Sequence, residues 1–340
     1  MKALVYYGPS DLRYEDIKDV TPKKGEVKIR VKAVGICGSD VHGYLGLTGR
    51  RIAPMVMGHE FSGQIVEIGK EVTDLKLGDR VAPYPVEICC QCEFCLQGQT
   101  HICINKKAYG VLDCNGAMAE YICVPANLVF KIDDTVSYSV AAMMEPMAVA
   151  YRGVNNAGYL KGKNVFIVGA GTIGLFTLAL VKMKNPAKIF ISDLSDSRLS
   201  VAQKLGADVL INSSKEDPVG VIMENTDTQG VDVAIEAVGI TATTKQTMSS
   251  LKLGGTAVWI GNLAKFIEVN MQEIVTRELK IYGSFLYTLS EFKEVIDILG
   301  TGKIDVTPIV SKEIPLEEGF SMFKTLAENP GDLIKVVITQ

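Results

Sequence analysis

Two groups of metal-ligating side chains and one glycine-rich turn carry the chemistry legible in this 340-residue sequence. Cys89, Cys92, Cys95 and Cys103 have the spacing C-x2-C-x2-C-x7-C. Three thiolates on a tight loop and a fourth closing it form a tetrahedral all-sulfur shell with no open position, which suits a structural zinc. Cys90 breaks this spacing and is read as a bystander. Cys114 and Cys123 are read as small core residues. His101 lies beside the cluster, but four thiolates already fill the shell, so it is expected on the surface. The second group is Cys37-Gly38-Ser39-Asp40-Val41-His42, then Gly58-His59-Glu60-Phe61-Ser62-Gly63, then Glu145-Pro146. A catalytic zinc takes three protein ligands and keeps one position for water or substrate. Cys37 and His59 offer a soft thiolate and an imidazole, both suited to zinc. Glu60 and Glu145 are candidate carboxylates, one direct and one through water. Asp40 could hold the far ring nitrogen of His59.

The turn is Gly169-Ala170-Gly171-Thr172-Ile173-Gly174, a G-x-G-x-x-G between an apolar strand and a helix. Its first glycine permits the tight turn, its second lets the backbone approach a pyrophosphate, and its third lets helix and strand pack closely. The phosphates then sit on the positive end of the helix. Asp193 ends the next strand, nineteen residues after Gly174. Its carboxylate can accept both adenosine-ribose hydroxyls and would repel a 2′-phosphate, which favours NAD over NADP. Gly169, Gly171, Ile173, Gly174 and Asp193 are the expected cofactor contacts, with Arg198 on the following helix near the adenine or ribose.

The elements that must position these groups differ along the chain. Residues 1 to about 148 read as short alternating strands, among them VKIRVKAV (27–34), SGQIVEIG (62–69), DRVAPYPV (79–86) and AEYICVP (119–125), separated by Gly, Pro and Asp turns. That pattern suggests a barrel or sandwich. From about 149 to 283, apolar strands at 164–169, 188–193, 209–212, 231–239, 256–261 and 279–284 alternate with helical stretches. This predicts a doubly wound parallel sheet, so the fold class is α/β plus β. Beyond 284 come the helical patches SEFKEVIDILGTG and LEEGFSMFKTLAE and a last strand, LIKVVIT.

The composition, 47% apolar and 22% charged with a net charge of −4, is that of a globular protein able to bury a large core. No basic block is present, which argues against nucleic acid or an anionic membrane as partner. The N-terminus has too few apolar residues before Gly8 and Pro9 for the ~7–15-residue apolar stretch of a secretory signal, so a cytoplasmic location is expected. The uncharged stretch Asn164 to Val181 is read as strand, loop and helix, not as a membrane span.

With its motifs in this order, the chain resembles the zinc-dependent medium-chain dehydrogenase/reductase family, and within it the sorbitol dehydrogenase-like polyol branch. The match rests on Gly58-His59-Glu60-x2-Gly63-x5-Gly69-x2-Val72, the four-cysteine lobe, the G-x-G-x-x-G and its aspartate, and runs nearly end to end. The resemblance implies a GroES-like catalytic domain (1–148 and 284–340), a Rossmann NAD-binding domain (149–283), two zinc ions per chain and a homotetramer. It implies hydride transfer from a secondary alcohol of a polyol or polyol phosphate to NAD, giving a ketose, in the cleft where the two domains meet. By the same resemblance Ser39 takes the hydroxyl proton and passes it towards His42 and solvent, and Glu145 assists through water. Glu145-Pro146 resembles the polyol enzymes; threonine dehydrogenases usually carry Asp at this point, and plain alcohol dehydrogenases a Cys ligand.

Sorbitol dehydrogenases typically show Arg-Tyr where this chain has Leu286-Tyr287. Tyr287 is thus an expected substrate contact without its arginine, and sorbitol itself is not implied. The segment GLTGRRIAPMVMGHEFSG resembles bacterial polyol-phosphate dehydrogenases such as those for galactitol 1-phosphate. Its Arg50 and Arg51 lie between the two metal motifs; a guanidinium is well shaped to grip a phosphate, and otherwise the two form a solvated surface pair. A threonine- or 2,3-butanediol-type dehydrogenase is the alternative within the family. A non-catalytic NAD- and zinc-binding relative is the alternative outside it, although such proteins usually lose a metal ligand and none is missing here.

Overall fold

In the computed structural model, which describes residues 1–340, strand Glu26–Gly35 is central to the first of two units. Its Val27, Ile29, Val31, Ala33 and Val34 are fully buried, which a strand achieves only with neighbours on both edges and cover on both faces. It pairs antiparallel with Glu60–Ile68, Tyr121–Pro125 and the C-terminal strand Lys335–Thr339. The seven-stranded sheet runs Val129–Lys131, Arg80–Pro83, Glu60–Ile68, Glu26–Gly35, Lys335–Thr339, Val310–Pro315, with Tyr121–Pro125 off this path. Ala33, Ala142 and Val337 form a small core cluster beside it. A three-stranded sheet of Asp11–Asp16, Lys2–Gly8 and Met55–Val56 completes the β-rich part.

The second unit is one six-stranded parallel sheet in the order Val209–Asn212, Lys188–Asp193, Asn164–Val168, Val231–Glu236, Leu251–Trp259, Lys280–Gly283. The chain builds outward from Asn164–Val168 on one side, then returns to build on the other. The strand order therefore reverses between Asn164–Val168 and Val231–Glu236, and the carboxyl ends of those strands form the crevice where doubly wound sheets bind ligands. Phe166, Phe190, Ile211, Ile222, Val231 and Met248 belong to its core.

The first unit comprises Met1–Glu145, Thr288–Lys303 and Val310–Gln340; the second comprises Pro146–Tyr287 and Ile304–Ile309. The short segment Ile304–Ile309, which the sequence reading groups with the catalytic part, clusters with the parallel sheet because its turn Thr307–Ile309 packs on helix Asp196–Lys204. The uncharged stretch after Asn164 divides into strand Asn164–Val168 and helix Thr172–Lys182. No helix is long and apolar enough to cross a membrane.

Candidate active site

Cys37 has extended backbone and starts helix Gly38–Tyr44. Asp40 folds back on it, accepting the Cys37 N–H at 3.2 Å. This carboxylate is fully buried, and a buried charge must be paired. Its Oδ1 lies 2.8 Å from Arg51 Nη2 and 3.5 Å from His59 Nδ1. Burial pushes the Asp40 pKa up, but His59 and Arg51 outweigh it and hold the group at about 2. The His59 ring is thus oriented from Nδ1, with its other nitrogen left for a metal. Burial opposes protonation of His59, yet Asp40 and then Cys37 raise it well above the ordinary imidazole value.

Arg51 corrects the sequence reading. Its side chain is only 3% exposed and is committed to Asp40, so it is neither a solvated partner of Arg50 nor free for a substrate phosphate. Adjacent arginines look equivalent in the sequence; the need of buried Asp40 for a cation separates them. Arg50 is exposed.

One ligand atom each from Cys37, His59 and Glu60 lie within 4.8 Å of one another. Glu60 begins strand Glu60–Ile68 opposite Gly35. A Cβ on Gly35 would stand 2.1 Å from Glu60 Oε2, so only glycine leaves the carboxylate its place. The same carboxylate accepts two hydrogen bonds from Lys335 Nζ, at 2.9 and 2.7 Å, and Lys335 also donates to Ile36 O at 3.1 Å. Both side chains are sealed from solvent, at 2% and 1% exposure. Burial alone would discharge Lys335; Glu60, then Cys37, keep its pKa raised. The sequence reading missed Lys335, whose one signal was a lysine at the head of an otherwise apolar strand.

Glu145 is buried in the first turn of helix Met144–Asn156 and within electrostatic reach of Lys335, but outside the group of three. Ser39 and His42 stand one turn apart on helix Gly38–Tyr44, Ser39 exposed and His42 half-buried. Tyr287 is fully buried.

One sulfur each from Cys89, Cys92, Cys95 and Cys103 also lie within 4.8 Å of one another. Backbone N–H groups of Gln91 and Cys92 lower the Cys89 thiol to about 6, those of Cys95 and Ile104 lower Cys92, and burial pushes Cys95 up to about 12. Such N–H donors favour thiolates, the form that binds zinc, so the donor set fits a tetrahedral metal. Cys90 is exposed outside the group. Cys114 and Cys123, expected in the core, are only half-buried, and burial pushes both up to about 11. His101, expected on the surface, is buried, because turn Thr100–Ile102 tucks it inward as the chain reaches Cys103.

In the second unit a Cβ on Gly174 would stand 1.7 Å from Gly169 O, while one on Gly171 would meet nothing within 4 Å. The loop is therefore closed on its helix side and open where a pyrophosphate would lie, at the N-terminus of helix Thr172–Lys182. Ile173 is half-buried. Asp193 accepts the Ala170 N–H at 2.7 Å and the Ser195 N–H at 3.0 Å, tying the glycine loop to the neighbouring strand. Arg198 is half-buried on helix Asp196–Lys204, its N–H capped by Ser195 Oγ at 3.4 Å.

Residues 23–134 match the alcohol dehydrogenase GroES-like domain and residues 172–301 match the zinc-binding dehydrogenase domain. A sorbitol dehydrogenase of Bacillus subtilis is 32% identical over 99% of this chain and 97% of its own. A D-arabitol-phosphate dehydrogenase of Enterococcus avium is 32% identical over 97% and 94%. A zinc-binding dehydrogenase of Sinorhizobium meliloti 1021 bound to NADP has a TM-score of 0.92 at 30% identity, covering 100% of this chain and 99% of that one. A protein described as a short chain alcohol dehydrogenase of Escherichia coli CFT073, complexed with NADH, gives 0.93 at 30%, with the same coverage.

Two predictions follow from the geometry. Gently purified protein is expected to hold two zinc ions per chain by metal analysis. Cys95→Ala loses one of them together with thermal stability, and Cys37→Ala loses the other with activity but melts near the wild type. A Cys95→Ala variant that melts as the wild type and keeps both metals overturns the structural assignment. Second, Lys335→Met leaves Glu60 as a buried carboxylate without its cation, which costs about 3–5 kcal/mol in urea unfolding. Lys335→Arg recovers part of this; a Met variant as stable as wild type shows that the pair contributes nothing.

Proposed function

We propose, from the premise that this chain belongs to the zinc-dependent medium-chain dehydrogenase/reductase family, that it oxidises a secondary hydroxyl of a neutral polyol to a ketone, with NAD as hydride acceptor. The convergence of Cys37, His59 and Glu60 on one point carries this reading. Cys37 and His59 would hold a catalytic zinc, with Glu60 and Glu145 as nearby carboxylates, and the metal when bound supplies Lewis acidity towards the substrate oxygen. Ser39, exposed on the same helix that Cys37 begins, takes the hydroxyl proton. His42, one turn further on, receives it on the way to solvent. Cys89, Cys92, Cys95 and Cys103 would hold the structural zinc.

The choice of NAD rests on Asp193. A carboxylate at the end of this strand would repel a 2′-phosphate on the adenosine ribose, and like charges there cost binding. Relatives have been solved with NADP as well as NADH, so the aspartate, not the family, decides. On the substrate side, relatives named for sorbitol and for D-arabitol phosphate stand at equal identity. With Arg51 committed to Asp40, the chain's own residues support the neutral polyol over the phosphate. A homo-oligomer, a tetramer by family expectation, is supported by the terminal strand Lys280–Gly283. Its outer edge is unpaired, and Tyr282 on it is exposed, as are Phe285, Met271 and Val275 nearby in the sequence. An exposed apolar edge of this kind calls for a partner.

Catalytic efficiency is expected to favour NAD over NADP by about 10²-fold, and Asp193→Gly narrows that gap. Equal efficiency with both cofactors in the wild type sinks the assignment. In a panel of neutral polyols, vicinal diols, threonine and polyol phosphates, NADH formation has its highest kcat/KM with a neutral polyol; a preference for threonine or for a phosphate overturns this substrate class.

A further inference from the structure

Strand Val231–Glu236 ends in an acid within the apolar run VDVAIEAVG. Glu236 is fully buried. Its Oε1 accepts the N–H groups of Val238 at 2.9 Å and Gly239 at 2.6 Å. Its Oε2 is buried without a hydrogen-bond partner, and no Lys or Arg pairs with the residue. A buried carboxylate without a cation is costly, and two N–H donors offset only part of that cost. Every other buried carboxylate described above has a cation beside it or within electrostatic reach.

Its place in the sheet is specific. Glu236 pairs in register with Val168, the residue before Gly169, so it stands at the carboxyl end of the strand across the switch point from the glycine loop. Its carbonyl also accepts from Ile260 at 2.9 Å and Gly261 at 3.2 Å, joining the loops that follow the fourth and fifth strands of the sheet order. A Cβ on Gly239 would lie 2.2 Å from Asn262 N, so the two loops are in direct backbone contact. A dinucleotide in this crevice lies with its adenosine towards Asp193 and its other half over the carboxyl ends of Val231–Glu236 and Leu251–Trp259. That other half is the nicotinamide, which carries a positive charge in NAD and none in NADH.

We propose that Glu236 is a buried counter-charge beneath the nicotinamide half of the crevice, and that it biases the site towards the oxidised cofactor. The two N–H bonds to Val238 and Gly239 fix the carboxylate in place, and the absence of a protein cation leaves its field for the ligand. This rests on the reading of the second unit as the NAD-binding part. Across a gap of several ångströms that is only partly screened, one charge is worth about three- to tenfold in relative affinity.

The test is the dissociation constant of NAD and of NADH, measured separately by titration calorimetry on the zinc-loaded protein. In Glu236→Gln the amide carbonyl can still accept from Val238 and Gly239 while the charge is removed. NAD is expected to bind about three- to tenfold more weakly and NADH unchanged. Glu236→Asp keeps the charge while disturbing the N–H bonds; both constants rise and their ratio stays near the wild type. A Gln variant that weakens both cofactors equally, or neither, overturns the proposal, as does an Asp variant whose ratio moves while its charge remains. Failure of the wild type to bind either cofactor overturns the NAD reading itself and this proposal with it.

Discussion

The ion pair between Glu60 and Lys335 governs much of the first unit. Two charges sealed from water repay their desolvation only when geometry is good and remaining donors are satisfied. Here Lys335 reaches both oxygens of Glu60 and the Ile36 carbonyl. The two partners come from opposite ends of the chain and meet because Glu26–Gly35 pairs with Glu60–Ile68 on one edge and with Lys335–Thr339 on the other. A carboxylate beside the candidate metal is thus set by a lysine from the last strand, across a strand that must offer Gly35 at the crossing point. The C-terminal segment is part of the site.

The two units solve the problem of placing charge in different ways. In the first, Asp40 and Glu60 are buried and each has its own cation, Arg51 or Lys335. In the second, Asp193 and Glu236 stand at the carboxyl ends of parallel strands and are held by backbone N–H groups. Ion pairs lock side chains against each other and suit a centre whose ligands must not move. Backbone donors fix a carboxylate without pairing it to a full positive charge.

Legibility in the sequence followed the range of the interaction. The G-x-G-x-x-G, its strand and helix, and Asp193 are local, and their spacing carries them. The four cysteines lie within one short loop, so the spacing again suffices. Cys37 and His59 were readable by residue type. Lys335 was not, since nothing near it in the chain hints at Glu60. Arg51 was misread because its partner, Asp40, looks in sequence like a helper of His59 alone. His101 was misread because a full sulfur shell says nothing of where a neighbouring imidazole packs. The position of Glu145 outside the closest group follows from where helix Met144–Asn156 begins, which a lone acid in an apolar stretch does not disclose.

The distribution of charge at the centre also suits a metal ion. Arg51 is bound to Asp40, and Lys335 to Glu60, so the chain's own nearby cations are already assigned to carboxylates. Cys37 and His59 are left close to each other, and Asp40, then Cys37, raise the imidazole well above its ordinary value. A divalent ion there would satisfy both ligands at once, and its binding would displace any protons they carry. The protein's own cations are thus assigned elsewhere, and the Cys37 sulfur and the His59 imidazole remain as donors of the kind that suits zinc.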